Sequence, residues 1–245
     1  TGTRNVPRIF ARRLPGDLAE TEHAAKRKYA FVAVVLPLVL RANEEILNDR
    51  RIVVFAAACQ GSPFPAAGEA RRRVAELHEI YKTGGDQVKL MRRLDAVPPS
   101  LAVAQAAVES GWGTSRFAQS GNALFGQWTD DPDKGTKARK AEVTVATFDE
   151  IMESVRSYMG NLNTHPAFKM FRTHRAHQRR ISDRLFGVEL SETLTAYSAR
   201  GPAYVRDLRE IILANELDPF DRTRLVTEQP RLLVSTGDID PDKGG

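Results

Sequence analysis

One cysteine in 245 residues removes several classes of protein at once. A lone thiol cannot pair within its own chain, so no disulfide framework holds this fold. Cys59 follows the apolar residues Val53 to Ala58 and reads as a buried thiol with no catalytic part. Long hydrophobic runs are missing as well. The most apolar stretch, 29–40, is about a dozen residues long and is interrupted by Pro37, short of the ~20 that cross a bilayer. It reads as a kinked core helix. The five histidines (His23, His78, His165, His174 and His177) show no metal-binding spacing. His174 and His177 read as surface, and His165, before Pro166, as a loop former. Neither a metal nor a cofactor is expected.

A glycine-rich phosphate loop, zinc-finger spacing and basic–aromatic alternation are all absent from the sequence. The net charge is nevertheless +5, with basic clusters at 71–73, 92–93, 134–140 and 172–180. Without a recognition motif these clusters read as solvated helix faces, and nucleic acid is not the expected partner.

Hydrophobic residues make up 42% and charged residues 27%, which is ordinary for a globular protein long enough to bury a sizeable core. The sequence opens on Thr1, so any leader or membrane anchor is expected upstream. Residues 1–17, with Pro7, Pro15 and Gly16, read as an irregular arm. Asp17 and Glu20 have the spacing to cap a first long helix, which runs to about Ala58 with breaks at Pro37 and near Asn48. A linker at 61–68 precedes a helical stripe of Val74, Leu77, Ile80 and Tyr81, and a short helix at 86–94 follows. Residues 18–95 are thus a helical N-terminal extension. Between Trp128 and Phe148 the texture becomes polar and turn-rich, and Val143 and Val145 flank Thr144 as in a short strand. Helical spacing resumes at Ile151, Val155, Tyr158, Met159 and Leu162. A last helix at 203–215 turns Val205, Leu208, Ile211 and Ile212 inward, and 219–245 reads as a loosely ordered tail.

The most informative stretch is AQAAVESGWG at 104–113. Pro98, Pro99 and Ser100 form a helix start, with serine able to cap free amides. Leu101, Ala102, Val103, Ala104, Ala106, Ala107 and Val108 then make a helix buried nearly all round. Gly111 and Gly113 end it. Glu109 therefore falls in the last turn of a buried helix beside Trp112. Burial and the carbonyl end of the helix both favour its protonated form. A carboxyl held protonated near neutral pH is what glycosidic bond cleavage asks of its general acid. The plain alternative is a solvated glutamate bonded to a loop amide.

AQAAVESGWGTSRFA followed by GNALFGQW resembles the glucosaminidase domain of glycoside hydrolase family 73, found in flagellar rod muramidases and bacterial autolysins. ATFDEIMESVRSYMGNLNTHPAF resembles the family's segment after its β-lobe, and LTAYSARGPAYVRDLREII its closing helix. The resemblance implies a mainly α, lysozyme-like α+β fold: a helical catalytic domain at 96–218 with a small β-lobe. It implies Glu109 as general acid and Tyr197 as a catalytic-site residue, its phenol donating to the sugar's N-acetyl group or positioning water. Asn122, Phe125 and Gln127 match the turn under the cleft floor, and Gln127 and Trp128 are candidates for sugar contact. Gln105, one turn before Glu109, is a candidate to orient the carboxyl or line the cleft. Trp112 is a candidate to shield the acid or stack on a sugar, and Tyr204 is a further substrate-site candidate; core packing is the competing reading for all three. Many members of the family carry a second glutamate in the β-lobe. Here the lobe is short, Glu142, Asp130, Asp131 and Asp133 are the nearby acids, and none aligns securely; Glu142 is taken as the catalytic candidate.

The implied substrate is peptidoglycan, whose free carboxylates suit a basic protein, and the implied place is the periplasm or cell envelope. A monomer is expected, acting on glycan strands. The route stays open between a second carboxylate activating water and the sugar's own acetamido group acting as nucleophile. A lytic transglycosylase on the same polymer is the competing activity, and a catalytically weak wall-binding or scaffold protein the competing class.

Overall fold

The computed structural model describes residues 5–129, 135–137 and 144–227, with backbone alone at 128, 129, 136 and 137. Glu142 and the aspartates at 130, 131 and 133 lie outside the described residues, as does most of the expected tail. Helix α1 (Ala24–Ala58) is followed by α2 (Pro65–Ile80), α3 (Gln87–Arg93), α4 (Pro99–Ser110) and α5 (Arg116–Gly121). After the β segment come α6 (Ile151–Thr164), α7 (Lys169–Ile181), α8 (Gly187–Ser191) and α9 (Pro202–Ala214). The class is mainly α, as the pattern implied.

Two expected breaks in the first helix do not occur. Helix α1 runs unbroken through Pro37 and Asn48, and it begins at Ala24 rather than after Asp17. A proline inside a helix gives up one backbone hydrogen bond and crowds the preceding turn. Here Pro37 lies among the buried residues Val35, Leu36, Leu38, Val39 and Leu40, so tertiary packing holds the helix through it. Cys59, at the end of α1, is half-buried rather than buried.

The extension does not have a core of its own. Phe31, Val35, Val39 and Ala42 of α1 join Leu101, Val103, Ala106, Val155, Leu162, Leu208 and Ile212 in one continuous apolar cluster. Within it α4 is central, packed by α1, α8, α9 and the 3-10 turn Asp218–Arg222. A helix so enclosed can be apolar on every face, which explains its continuous hydrophobic run.

The arm, too, is tied down. Strand β1 (Asn5–Val6) pairs in parallel with β5 (Arg224–Leu225), joining the two ends of the described chain. Arg8 forms a bidentate pair with Glu44 at 3.1 and 2.8 Å, and the Arg12 carbonyl accepts from Ile151 N–H at the start of α6. The β segment is a three-stranded antiparallel sheet in the order β2 (Trp128–Thr129), β4 (Thr144–Ala146), β3 (Gly135–Lys137).

The basic stretch at 172–180 is not wholly a solvated face. Arg172 and Arg175 are buried. Arg175 donates to the carbonyls of Arg92, Arg93, Asp95 and Ala96 and to Asn163 Oδ1, at 2.7 to 3.2 Å. A buried cation spread over five acceptors fixes the segment that leads into α4. His174 and His177 are exposed, and His165 Nδ1 accepts from Ala167 N–H at 3.2 Å, shaping the loop as expected.

Candidate active site

Helix α4 is held at both ends by distant parts of the chain. At its start Ser100 does not cap. Its N–H and Oγ–H both donate to the Asp221 carboxylate, each at 2.9 Å, so the cap comes from 121 residues downstream. At the other end Gly111 takes the left-handed conformation (φ 60°, ψ 46°), and its N–H bonds to the Ala107 carbonyl. The N–H of Trp112 reaches the same carbonyl at 2.9 Å. Gly113 (φ 80°) is wedged against the arm and α1: a Cβ there would lie 2.8 to 3.0 Å from the side chains of Leu18, Leu14 and Phe31. The turn after Glu109 thus cannot drift.

Glu109 is half-buried in the last turn of α4. Burial pushes its carboxyl above the usual carboxylate range, while a hydrogen bond from the Tyr204 hydroxyl and the positive charge of Arg200 pull part of the way back. A second wall comes from the turn after α5. Asn122 closes that helix with a left-handed backbone (φ 51°), and its amide donates to the carbonyls of Phe148 and Asp149 at 2.8 and 3.0 Å. Four residues on, Gly126 (φ 59°) lies so close that a Cβ would sit 3.1 Å from Glu109 Oε2. Only glycine lets the backbone rest against that carboxyl without displacing it.

The third wall is aromatic. The Tyr197 hydroxyl donates to the Phe125 carbonyl at 3.2 Å, and the Tyr197 ring stacks on Tyr204 at 5.5 Å with 5° between planes. Burial, with the Glu109 charge adding to it, holds the Tyr197 phenol well above its ordinary value, so it stays a proton donor. Beneath, Tyr204 Oη accepts from Gln105 Nε2 at 2.9 Å, and Gln105 Oε1 accepts from the Tyr158 hydroxyl at 2.7 Å. The Tyr158 ring stacks on Phe125 at 3.9 Å and 7°.

Glu109, Gln105, Tyr197, Tyr204, Phe125 and Gly126 are therefore brought together. Four substrate-contact candidates do not face the site's open side. Gln105, Asn122, Phe125 and Tyr204 are all buried; Gln105 and Tyr204 turn their polar groups to protein partners, and Asn122 its amide nitrogen, while its Oδ1 has no partner among the described residues. They support the site from below. Trp112 turns to α1, with its ring edge-to-face to Phe31 at 5.8 Å and Lys28 Nζ 5.0 Å from its centroid, so it packs the arm side rather than shielding the carboxyl. Gln127 donates to Ser157 Oγ at 2.8 Å and keeps an unpartnered Oε1 among the described residues. The side chain of Trp128 lies outside the described residues, like Glu142.

Two residues that set the site were missed by the sequence reading, one near the carboxyl and one at the far end of α4. Arg200 ion-pairs with Asp207 while its charge reaches Glu109; its position three residues after Tyr197 was the available signal. Asp221 carried none. Two surface pockets, of about 290 and 680 Å³, lie away from Glu109; the larger borders the opposite end of α4, at Pro98 and Pro99. Among the described residues no group of three acidic, histidine or cysteine side chains could hold a metal ion.

The sequence places this geometry in a family. A model described as mannosyl-glycoprotein endo-beta-N-acetylglucosaminidase matches residues 86–217, more than half of the chain. The chain belongs to the glucosaminidase family. The match begins just before α3 and ends just after α9, so it takes in all three walls around Glu109. Protein bax of Escherichia coli (strain K12) is 31% identical over 200 residues, which are 77% of this chain and 69% of that protein. Among solved structures, the catalytic domain of the autolysin Auto from Listeria monocytogenes matches with a TM-score of 0.40 and 17% identity, over 67% of this chain and 93% of that one. Helix α1 and the arm, which pin the turn after Glu109, precede the stretch matched by the glucosaminidase model.

Proposed function

We propose that this protein is an endo-β-N-acetylglucosaminidase that cleaves peptidoglycan, with Glu109 as the general acid. The carrying observation is Glu109 itself: a carboxyl raised by burial at the end of a fixed helix, backed by Gly126. Such a group holds its proton at a pH where a solvated glutamate has lost it, and gives it to the leaving glycosidic oxygen. The family's description, an endo-beta-N-acetylglucosaminidase, is consistent with a glycan that contains N-acetylglucosamine as the substrate class. The cell envelope is then the site of action; among the described residues no helix is long and apolar enough to cross a membrane.

In the resting arrangement Tyr197 gives its proton to the Phe125 carbonyl. A role toward the substrate's acetamido group requires that 3.2 Å bond to open when sugar enters. Tyr204 and Arg200 are the described groups that pull on the charge of Glu109, and neither is a carboxylate. Two routes need only this one acid: an acetamido-assisted hydrolysis, or a lytic transglycosylase in which the sugar's own 6-hydroxyl attacks. Digestion of purified cell wall followed by mass analysis of the soluble fragments decides between them. A free reducing end on N-acetylglucosamine is expected. Fragments ending in 1,6-anhydro-N-acetylmuramic acid would replace the hydrolase reading with the transglycosylase one, and intact glycan would leave a wall-binding protein.

A further inference from the structure

We propose that Tyr158, Gln105 and Tyr204 form a buried positioning chain that aims the Tyr204 hydroxyl at the Glu109 carboxyl and keeps it donating there. This rests on the reading of Glu109 as the general acid and goes beyond it to how the acid is set.

The number of hydrogens available sets the direction of the chain. A tyrosine hydroxyl has a single hydrogen, and an amide has one accepting and one donating end. Tyr158 donates to Gln105 Oε1 at 2.7 Å, which commits the amide's oxygen to that side. Gln105 Nε2 must then face Tyr204, and it donates to Tyr204 Oη at 2.9 Å. With its oxygen accepting, Tyr204 directs its own hydrogen outward, and the acceptor there is Glu109. Reversing the amide would turn the Tyr204 hydrogen inward onto Gln105 Oε1. Glu109 would lose its donor, and the Tyr158 hydroxyl would face the amide's donating end in place of its acceptor. All three side chains are buried, and the Tyr158 ring is clamped flat on Phe125, so water is not at hand to mend a reversed chain.

The consequence for catalysis has a definite sign. A hydrogen bond donated to the carboxylate favours the ionised form, so the chain opposes the effect of burial and keeps the acid from becoming too weak to give up its proton. Gly126 backs the carboxyl, near enough that an added Cβ would crowd Oε2 at 3.1 Å. Tyr158, with Gln105 and Tyr204 standing between it and Glu109, thereby acts on the carboxyl through three successive hydrogen bonds.

The test is the pH dependence of kcat/KM on purified peptidoglycan, for the wild type, Tyr158→Phe, Tyr204→Phe and the double variant, with Tm measured on each. Tyr158→Phe removes one oxygen and keeps the ring packing. It frees the amide to reverse, and the limb on which activity falls with rising pH is expected to move up by about one unit, the size of one hydrogen bond to a charged group. Tyr204→Phe is expected to give the same shift, and the double variant no more than Tyr204→Phe alone, because the chain acts only through that hydroxyl. Tyr81→Phe, another buried tyrosine but outside the chain, controls for lost packing. A limb that stays in place or moves down in Tyr158→Phe, whatever happens to Tm, overturns the proposal, and so do additive shifts in the double variant. Glu109→Gln separates the two levels: if that variant stays active, the acid assignment falls; if it is dead while Tyr158→Phe keeps the wild-type limb, only the positioning chain falls.

Discussion

Replacing Gly126 by alanine measures how tightly the backbone is packed against the Glu109 carboxyl. Two costs arise, and the structure separates them. The first is conformational. Gly126 has φ 59°, and a left-handed alanine costs about 1–2 kcal/mol. For a domain of this size that lowers Tm by roughly 2–8 °C. The second is contact. The added Cβ falls 3.1 Å from Glu109 Oε2, where ordinary contact begins at 3.4 Å, so the carboxyl or the turn gives way by a few tenths of an ångström. A misplacement near 1 Å at a reacting group costs about a hundredfold, so a shift of this size is expected to lower kcat by about tenfold. Gly84 supplies the control, since it has nearly the same backbone angle (φ 60°) and nothing within 4 Å of its Cβ position. Gly84→Ala should lose similar stability and keep full activity per folded molecule. The assay is turnover on purified cell wall, normalised to the folded fraction at each temperature. Equal activity in the two variants would refute the claim that Gly126 is there to admit the carboxyl.

Glu109→Gln keeps the shape but has no proton to give; turnover should fall by at least 10²–10⁴-fold, with Tm held or slightly raised, and near-normal activity would remove Glu109 from the mechanism. Arg200→Gln removes a charge that favours the ionised form of Glu109, so the falling limb of the pH–rate profile should move to higher pH; a shift to lower pH contradicts the placement of that charge. Asp95 tests the stability side. Burial alone would raise its carboxyl, but Arg175 and Arg179 outweigh burial and hold it below the usual range. The unfolded chain then binds the proton more readily, so stabilisation present above about pH 4 is lost as pH falls through the folded value. Thermal melts across that window should show Asp95→Asn less stable than wild type near neutrality, with the gap closing on acidification.

Most of the helical layout was legible because it is written in local patterns. The apolar run at 101–108, bounded by two prolines and two glycines, could only be an enclosed helix, and α4 spans Pro99–Ser110. The last helix was placed within a residue at each end. Where the reading failed, the deciding interaction was distant in sequence. Pro37 and Asn48 look like breaks, yet α1 passes through both, because core contacts from α4 and α6 outweigh one lost backbone bond. Ser100 looks like a cap, but its hydroxyl is a donor to Asp221, and no spacing rule connects positions 100 and 221.

The site divides along the same line. Glu109, Tyr197 and the turn at Asn122 to Gln127 stand out as candidates because short motifs carry them. What those motifs leave out is direction. A row of candidates such as Gln105, Phe125 and Tyr204 reads as a cleft lining, whereas the structure turns all three inward and leaves Glu109 half-buried above them. Residue type alone cannot tell a side chain that touches sugar from one that touches the residue that does. Hydrogen-bond bookkeeping and burial together can: an amide closed off from solvent, with its two ends turned to protein partners at 2.7 and 2.9 Å, does not meet a ligand, and its effect on the reaction has to pass through its neighbours. By that reasoning the residues most worth varying lie beneath the open face as much as on it, and their signature is a shifted pH profile rather than a lost substrate contact.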